Sequence, residues 1–562
     1  MSSDTSTPPV EAPVTPAPPA SQRTRAHPAL LPVLGTLAAC GGGGDAGPPP
    51  PPPGPPPPPL TAAQFEASRL LAQAGLGASD TEINAVIQAG AAGWIDAQFA
   101  APPSPPMWDW LVAKGYNATR FRGGSVGLDE MVWRKLFTAP DALRQRVVLA
   151  LTELFVVSII GVNGNWRQFA LAAYWELLEQ HCFGTYRNLL ERITLSVAMG
   201  RYLNMLGNQK ENLATGRQPD ENYAREVLQL FSIGLYELNP DGSPRLGADG
   251  QPIETYDQAT ISGLARVFTG WSHDGANSDS PDFLHRPMAH NPSLHSLLEK
   301  KFLGKTIPAN TAGPQSLRLA LDTIAAHSNV GPFIGRQLIQ RLVTSNPSPA
   351  YVARVAAVFN DSGGVRGNLG AVVRAILVDP EARTVPSANT AGRLREPVLR
   401  FVQWGRTFKA TSPDDEWYGS TVDVSRLGQS PFRSPSVFNF FRPGYVPPNT
   451  ALGARGMVAP ELQITNETTV AGFANFMQGV LQNGVGDIRG DYAVWMQWAH
   501  DASYLVARLN MALAAGQVGT ATAGAIAGAV GTIGATTDGG RRARIWAAAL
   551  MIMCTPEYLV LK

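Results

Sequence analysis

Cysteine is nearly absent. Three in 562 residues, Cys40, Cys182 and Cys554, lie far apart in the chain and make no disulfide framework. No C-x-x-C, C-x-x-C-H or clustered Cys/His run occurs, which excludes a cysteine zinc site and c-type haem. Charge is also scarce, at 16% of residues, and it cancels: 45 basic against 44 acidic residues leave a formal net charge of +1. That is no electrostatic footprint for nucleic acid. Only eight of the basic residues are lysine. The arginine excess invites a phosphate-binding reading, but acids match it almost one for one. Long apolar runs are missing too. The longest, residues 147–160, is well short of the roughly 20 residues that span a bilayer. Glu-x-x-His, the mark of ferritin-like di-iron helices, does not occur.

What is present begins with an address. Residues 1–28 are rich in Pro, Ser, Thr and Ala, and Arg23 and Arg25 precede a short apolar stretch at 29–39. A basic flank, an apolar segment and small residues before a cleavage point form a secretory signal. Leu37-Ala38-Ala39-Cys40 resembles the lipobox of bacterial lipoproteins, in which Cys40 becomes the lipidated first residue. The glycines after it lack the Asp that favours inner-membrane retention in such signals. Residues 41–60 are Gly- and Pro-rich, and the prolines at 48–59 make a stiff spacer of roughly 35 Å, at about 3.1 Å per residue. The expected layout is a disordered leader and lipoprotein signal over 1–40, a linker over 41–60, and one large domain over 61–562. The expected location is the cell envelope, as an outer-membrane lipoprotein or a periplasmic or extracellular protein.

From Thr61 the texture is helical. Thr61 with Gln64 and Ser79 with Glu82 have capping-box spacing. Ser348-Pro349, Asp379-Pro380, Ser434-Pro435 and Thr555-Pro556 read as helix starts. The near-continuous apolar segment 147–160 reads as a central buried helix, and Cys554 as a core residue. The Gly/Ala run near 520–535 has small-xxx-small spacing and reads as a close-packed helix. Strand signals are sparse. Residues 236–256, with Asp-Gly turns at 241 and 249, predict a hairpin or short meander, and no internal repeat is evident. The fold class is mainly α: a large helical domain with long loops and a small β-hairpin.

Several motif matches carry little. Gly-x-Ser-x-Gly around Ser125 lacks the preceding strand. Gly-Lys-Thr at 304–306 lacks the first glycine of a phosphate loop, since position 299 is Glu299. The segment "PDENYAREVLQLFSIGLYELNPDG", 219–242, is richer. Asp220 is placed to cap a helix whose apolar stripe is Tyr223, Val227, Leu230, Phe231 and Gly234. Asn222 and Glu226 lie one turn apart beside that stripe, and Arg225 one turn from Glu221 and Gln229. These positions predict one polar network joining Asn222 and Glu226 to Arg225 or a nearby arginine. A carboxylate at the edge of a buried face serves as general base or metal ligand, or pairs with an arginine. Glu153, set in the apolar helix, is the second such carboxylate. Buried alone its pKa rises; salt-bridged it falls, and the supply of arginine favours the pair. Five of the eight histidines, His273, His285, His290, His295 and His327, fall between 273 and 327.

The stretches "LRQRVVLALTELFVVS", "PDENYAREVLQLFSIGL", "ARVFTGW", "PFIGRQLIQRLVTSNPSPAYVARVAAVF", "SPSVFNFFRPGYVPP", "APELQITNE" and "CTPEYLV" resemble, in order, the bacterial family catalogued as domain of unknown function 1800. The resemblance implies an exported, mostly helical protein, often encoded beside a secreted sulfatase-like protein. It implies no activity, cofactor, metal or catalytic residue. Its histidine-bearing segments match His295 and His327. The leading expectation is a lipid-anchored helical protein that binds an exported partner or polymer. The alternatives are an extracytoplasmic hydrolase using Glu226 with Asn222 and a histidine, His295 or His327, and an assembly factor for the sulfatase-like protein.

Overall fold

Helix starts follow the local signals. In the computed structural model, which describes residues 59–386, 391–418 and 427–562, both capping boxes close. Thr61 Oγ1 accepts from the Gln64 N–H while Gln64 Oε1 accepts from the Thr61 N–H, and Ser79 and Glu82 do the same. Ser348, Asp379 and Thr555 each cap a helix that opens with proline. Ser434-Pro435 does not start one. Asn439 is left-handed (φ 63°) and Pro443 follows shortly, so the segment turns instead of coiling. The leader, Cys40 and the spacer up to residue 58 lie outside the described residues.

The fold is mainly α, with three two-stranded antiparallel ladders. The helix Ala142–Leu154 is its axis: every residue but Thr152 is buried. It packs against Ala62–Ala74, Asp80–Ala100, Arg167–His181 and Val330–Leu342. It ends at Leu154, short of the expected residue 160. Residues 155–159 stay buried without helix because their polar groups find other partners. The Phe155 carbonyl accepts from the Tyr174 hydroxyl (2.6 Å), Ser158 Oγ donates to the Ser434 carbonyl (2.7 Å), and the Ile159 N–H to that of Phe432 (2.9 Å). Val156, Val157 and Ile159 also suit extended backbone.

Two other expectations need correction. The Gly/Ala helix Thr520–Gly531 does pack on Ala502–Ala514 and Asp538–Met553, but through Ile526 and Val530, while Gly524 and Gly528 face open space and form no small-residue seam. Cys554 is exposed at a helix end, not in the core. Among the described residues no helix is long and apolar enough to cross a membrane.

Residues 236–254 form a closed three-segment meander. Arg245 N–H donates to the Glu237 carbonyl (2.7 Å), Ile253 N–H to Arg245 (3.0 Å), and Glu237 N–H to Ile253 (2.8 Å). The turns repeat as Asp241-Gly242-Ser243-Pro244 and Asp249-Gly250-Gln251-Pro252, an internal repeat too short to register at domain scale. Each Asp side chain accepts the N–H two residues on, and Gly242 and Gly250 supply the positive φ.

Packing is tight where Gln258–Val267 crosses the strand Lys300–Phe302. A Cβ on Gly263 would lie 1.9 Å from the Lys301 carbonyl oxygen. Gly263→Ala is therefore predicted to cost about 3 kcal/mol or more through a backbone collision. Gly528→Ala, in open helical space, is predicted to gain roughly 0.5–1 kcal/mol. Chemical unfolding of the two variants checks both signs; equal midpoints would contradict this packing.

Candidate functional site

Three arginines and three glutamates from distant segments meet in the core. Arg146 and Glu153 come from the axial helix, Arg341 from the end of Val330–Leu342, Arg393 from a strand, Glu396 from the start of Pro397–Thr407, and Glu461 from a short 3-10 turn. Arg341 holds Glu153 at 2.9 Å, and Arg393 holds both Glu461 (2.9 Å) and Glu396. Arg146 and Arg393 both donate to the Arg341 carbonyl, at a helix end whose dipole attracts cations. Gln429 completes the set. Its Oε1 accepts from the Val398 N–H (3.2 Å), so its NH₂ faces Glu153 (2.9 Å) and Glu396 (2.7 Å).

Glu153 is 8% exposed and arginine-paired, yet its pKa is raised well above the usual range. This reverses the expected direction. Burial and the facing Glu396 outweigh Arg341 and Arg393. Burial also opposes the Glu396 charge, but Arg393, Arg341 and Arg146 overcome it and hold that carboxyl low. The surroundings thus favour a proton on Glu153 and the charge on Glu396. A cavity of about 20 Å³, water-sized, adjoins Glu153 and is lined by Thr152, Gln429, Ser434 and Asn439. Ser434 Oγ and Asn439 Nδ2 are buried there without hydrogen-bond partners.

The other residues singled out from sequence sit in separate surroundings. Asp220 lies just ahead of the helix Asn222–Gln229: its Oδ1 accepts from the Asn222 N–H (2.8 Å), while Glu221 takes the cap position. The expected single network is not formed. Arg225 meets Glu221 (3.4 Å) and Gln258, and Glu221 is also bonded by Gln258 and Ser262. Glu226 does not join it. It is buried, its Oε2 has no partner, and burial raises its pKa against the opposing effect of Arg225. Arg225 is a helix neighbour one position back and points to the other side of the stripe.

His295 is buried, with Nδ1 3.0 Å from the Thr269 carbonyl and Nε2 unpartnered. Beside it Lys300 donates to the Ser296 and Leu298 carbonyls, and Ser296 Oγ bonds Glu211. Burial pushes His295 down to about 4 and Lys300 to about 8. His327 belongs elsewhere. Its Nε2 lies 3.7 Å from Glu237 of the meander and its Nδ1 accepts from the Asn329 N–H. The Asn329 side chain in turn bonds Ile233, Tyr236 and Leu238, pinning the meander's root. Glu226, His295 and His327 therefore each have their own contact set. Among the described residues no three His, Cys, Asp or Glu side chains gather as a metal-ligand set.

One pair had no sequence signal. Glu176 and His285 meet at 3.4 Å in a surface cleft of about 270 Å³ that also holds His181, Arg192 and Ser196. Trp108 stacks on the imidazole (3.5 Å) and donates its backbone N–H to Glu176 (2.7 Å). The partners are 109 residues apart, so only the fold joins them.

A family model described as "Protein of unknown function (DUF1800)" matches residues 69–560. The chain belongs to this family. No curated protein and no solved structure matches it. In this DUF1800 chain the charged hub, from Arg146 to Glu461, lies wholly within the matched span.

Two predictions follow from these charge states. Glu153→Gln keeps the shape of a neutral carboxyl and is predicted to change stability by only about 1 kcal/mol, whereas Glu396→Gln removes one of the two carboxylates that hold Arg393, amid three buried arginines, and costs about 3–5 kcal/mol. Urea unfolding of both decides it, and equal losses would put the proton elsewhere. The second concerns His295. Its folded pKa is depressed, so the stability it contributes is present above the unfolded value near 6.5 and is lost as pH falls through about 4. Over that window the wild type is predicted to lose on the order of 3 kcal/mol more than His295→Gln. Parallel pH profiles for the two proteins would refute this.

Proposed function

We propose that this DUF1800 protein is exported, anchored through lipidated Cys40, and uses its helical body to bind an exported partner. The spacer holds that body off the membrane surface. The observation that carries the reading is the meander. Leu235, Tyr236, Leu246 and Ile253 are all exposed there, on a segment fixed at its root by Asn329. Large apolar side chains held out on a rigid projection suit protein recognition better than solvation. The separation of Glu226, His295 and His327 favours binding over a catalytic site made from them. An assembly role for a secreted sulfatase-like protein is one form of this reading.

The test is cross-linking in intact cells. Wild type is expected in the membrane fraction with one exported protein cross-linked. Cys40→Ser is expected in the soluble fraction, and Leu246→Asp with Ile253→Asp to lose the cross-link at unchanged thermal stability. A wild type that is soluble and carries no lipid by mass spectrometry would sink the anchor. An undiminished cross-link in the double variant would sink the meander's role.

The Glu176–His285 pair favours a second reading, an extracytoplasmic hydrolase. A carboxylate-oriented imidazole in an open cleft is the arrangement of a general base. His285→Ala would then lower a hydrolytic activity by roughly 10² or more without altering the fold.

A further inference from the structure

Arg201 is one of several arginines that no acid meets, and it lines a surface cleft. Among the described residues it makes no ion pair. Its one hydrogen bond runs from Nη1 to the Asn165 carbonyl (2.8 Å). The guanidinium lies against Gly164, where a Cβ would sit 3.3 Å from its central carbon, and over the Phe283 ring (5.9 Å). It is therefore held in place with most of its N–H donors unused. Burial lowers its pKa to about 10, and no carboxylate opposes that effect.

The side chain lines a cleft of about 320 Å³ together with Asn163, Gly164, Gly200, Asn204 and His273. His273 packs edge-on to Phe283 (4.8 Å), and its Nδ1 is buried without a partner. Burial and Arg201 keep that imidazole neutral, with a pKa of about 4. On the rim, Asn204 contacts Asp220 (3.5 Å). One fixed cation, a neutral imidazole and two amides match a single negative charge, and the rim carboxylate disfavours a second one. The volume is at the lower end for small-ligand sites, about that of one sugar unit.

We propose that this cleft binds a monoanionic oxyanion, a carboxylate or a sulfate ester, carried on a sugar-sized unit such as an acidic polysaccharide presents. Arg201 takes the charge, and His273 and the asparagines take flanking hydroxyls. The site is independent of the meander and of the lipid anchor.

Calorimetric titration of the full chain tests it, with glucuronate, glucose 6-sulfate, glucose 6-phosphate and glucose as probes. Saturable binding of glucuronate or of the sulfate is expected at millimolar or lower concentration, and which of the two binds more tightly names the group. The phosphate is expected to bind more weakly and glucose not at all. Arg201→Gln is expected to weaken binding by about tenfold or more. Because Arg201 also ties down the loop at Asn165, Asn163→Asp serves as the second variant. Asn163 is exposed, so the change puts a negative charge in the cleft without touching the core, and it should weaken the anion similarly at unchanged melting temperature. Glucose binding as well as the anions, no saturation by either monoanion, or full affinity in Asn163→Asp would each overturn the proposal.

Discussion

The fold depends on one buried meeting of charges. Arg146, Glu153, Arg341, Arg393, Glu396 and Glu461 come from five segments, and none is more than slightly exposed. Removing ions from water costs several kcal/mol each, so the hub holds only if every charge finds its partner at once. That condition fixes where the axial helix ends, how the helix Val330–Leu342 points its carbonyls, and where Pro397–Thr407 begins. One proton on Glu153 relieves the repulsion between facing carboxylates. The resulting excess of positive charge is met by the Arg341 carbonyl.

Arginine does similar work across the protein. Arg69 donates to carbonyls of Ala382, Arg383, Thr384 and Lys562. Arg544 binds those of Gly531, Ile533, Ala499 and His500. A planar group with five donors satisfies up to four loop carbonyls at once here, more than the three donors of a lysine can. The long loops of this chain stay buried on those terms. Arg201 differs in making a single carbonyl bond and lining a cleft, and so points outward to a ligand.

Much of the local structure was legible because its causes are local. Thr61, Ser79, Ser348, Asp379 and Thr555 start helices through contacts within three residues. The Asp-Gly turns at 241 and 249 likewise work within their own loops. Glu153 could be singled out as a carboxylate in an apolar helix, but its protonation could not, because that depends on Glu396, far along the chain. The same holds for Ser434-Pro435, whose turn is set by Ser158 and Asn439, and for Glu176 with His285. Glu226 shows the reach of helical spacing. Periodicity placed it beside the buried stripe, where it lies, and the adjacent position of Arg225 was itself a reason to exclude that partner.

The proton on Glu153 is the feature that most directly tests this account of the hub. Difference infrared spectroscopy on protein carrying ¹³C-labelled glutamate reads protonated carboxyl groups at neutral pH. The predicted result is a protonated-carboxyl band in the wild type that disappears in Glu153→Gln and persists in Glu221→Gln. A spectrum with no protonated carboxyl at neutral pH, or a band untouched by Glu153→Gln, would contradict it.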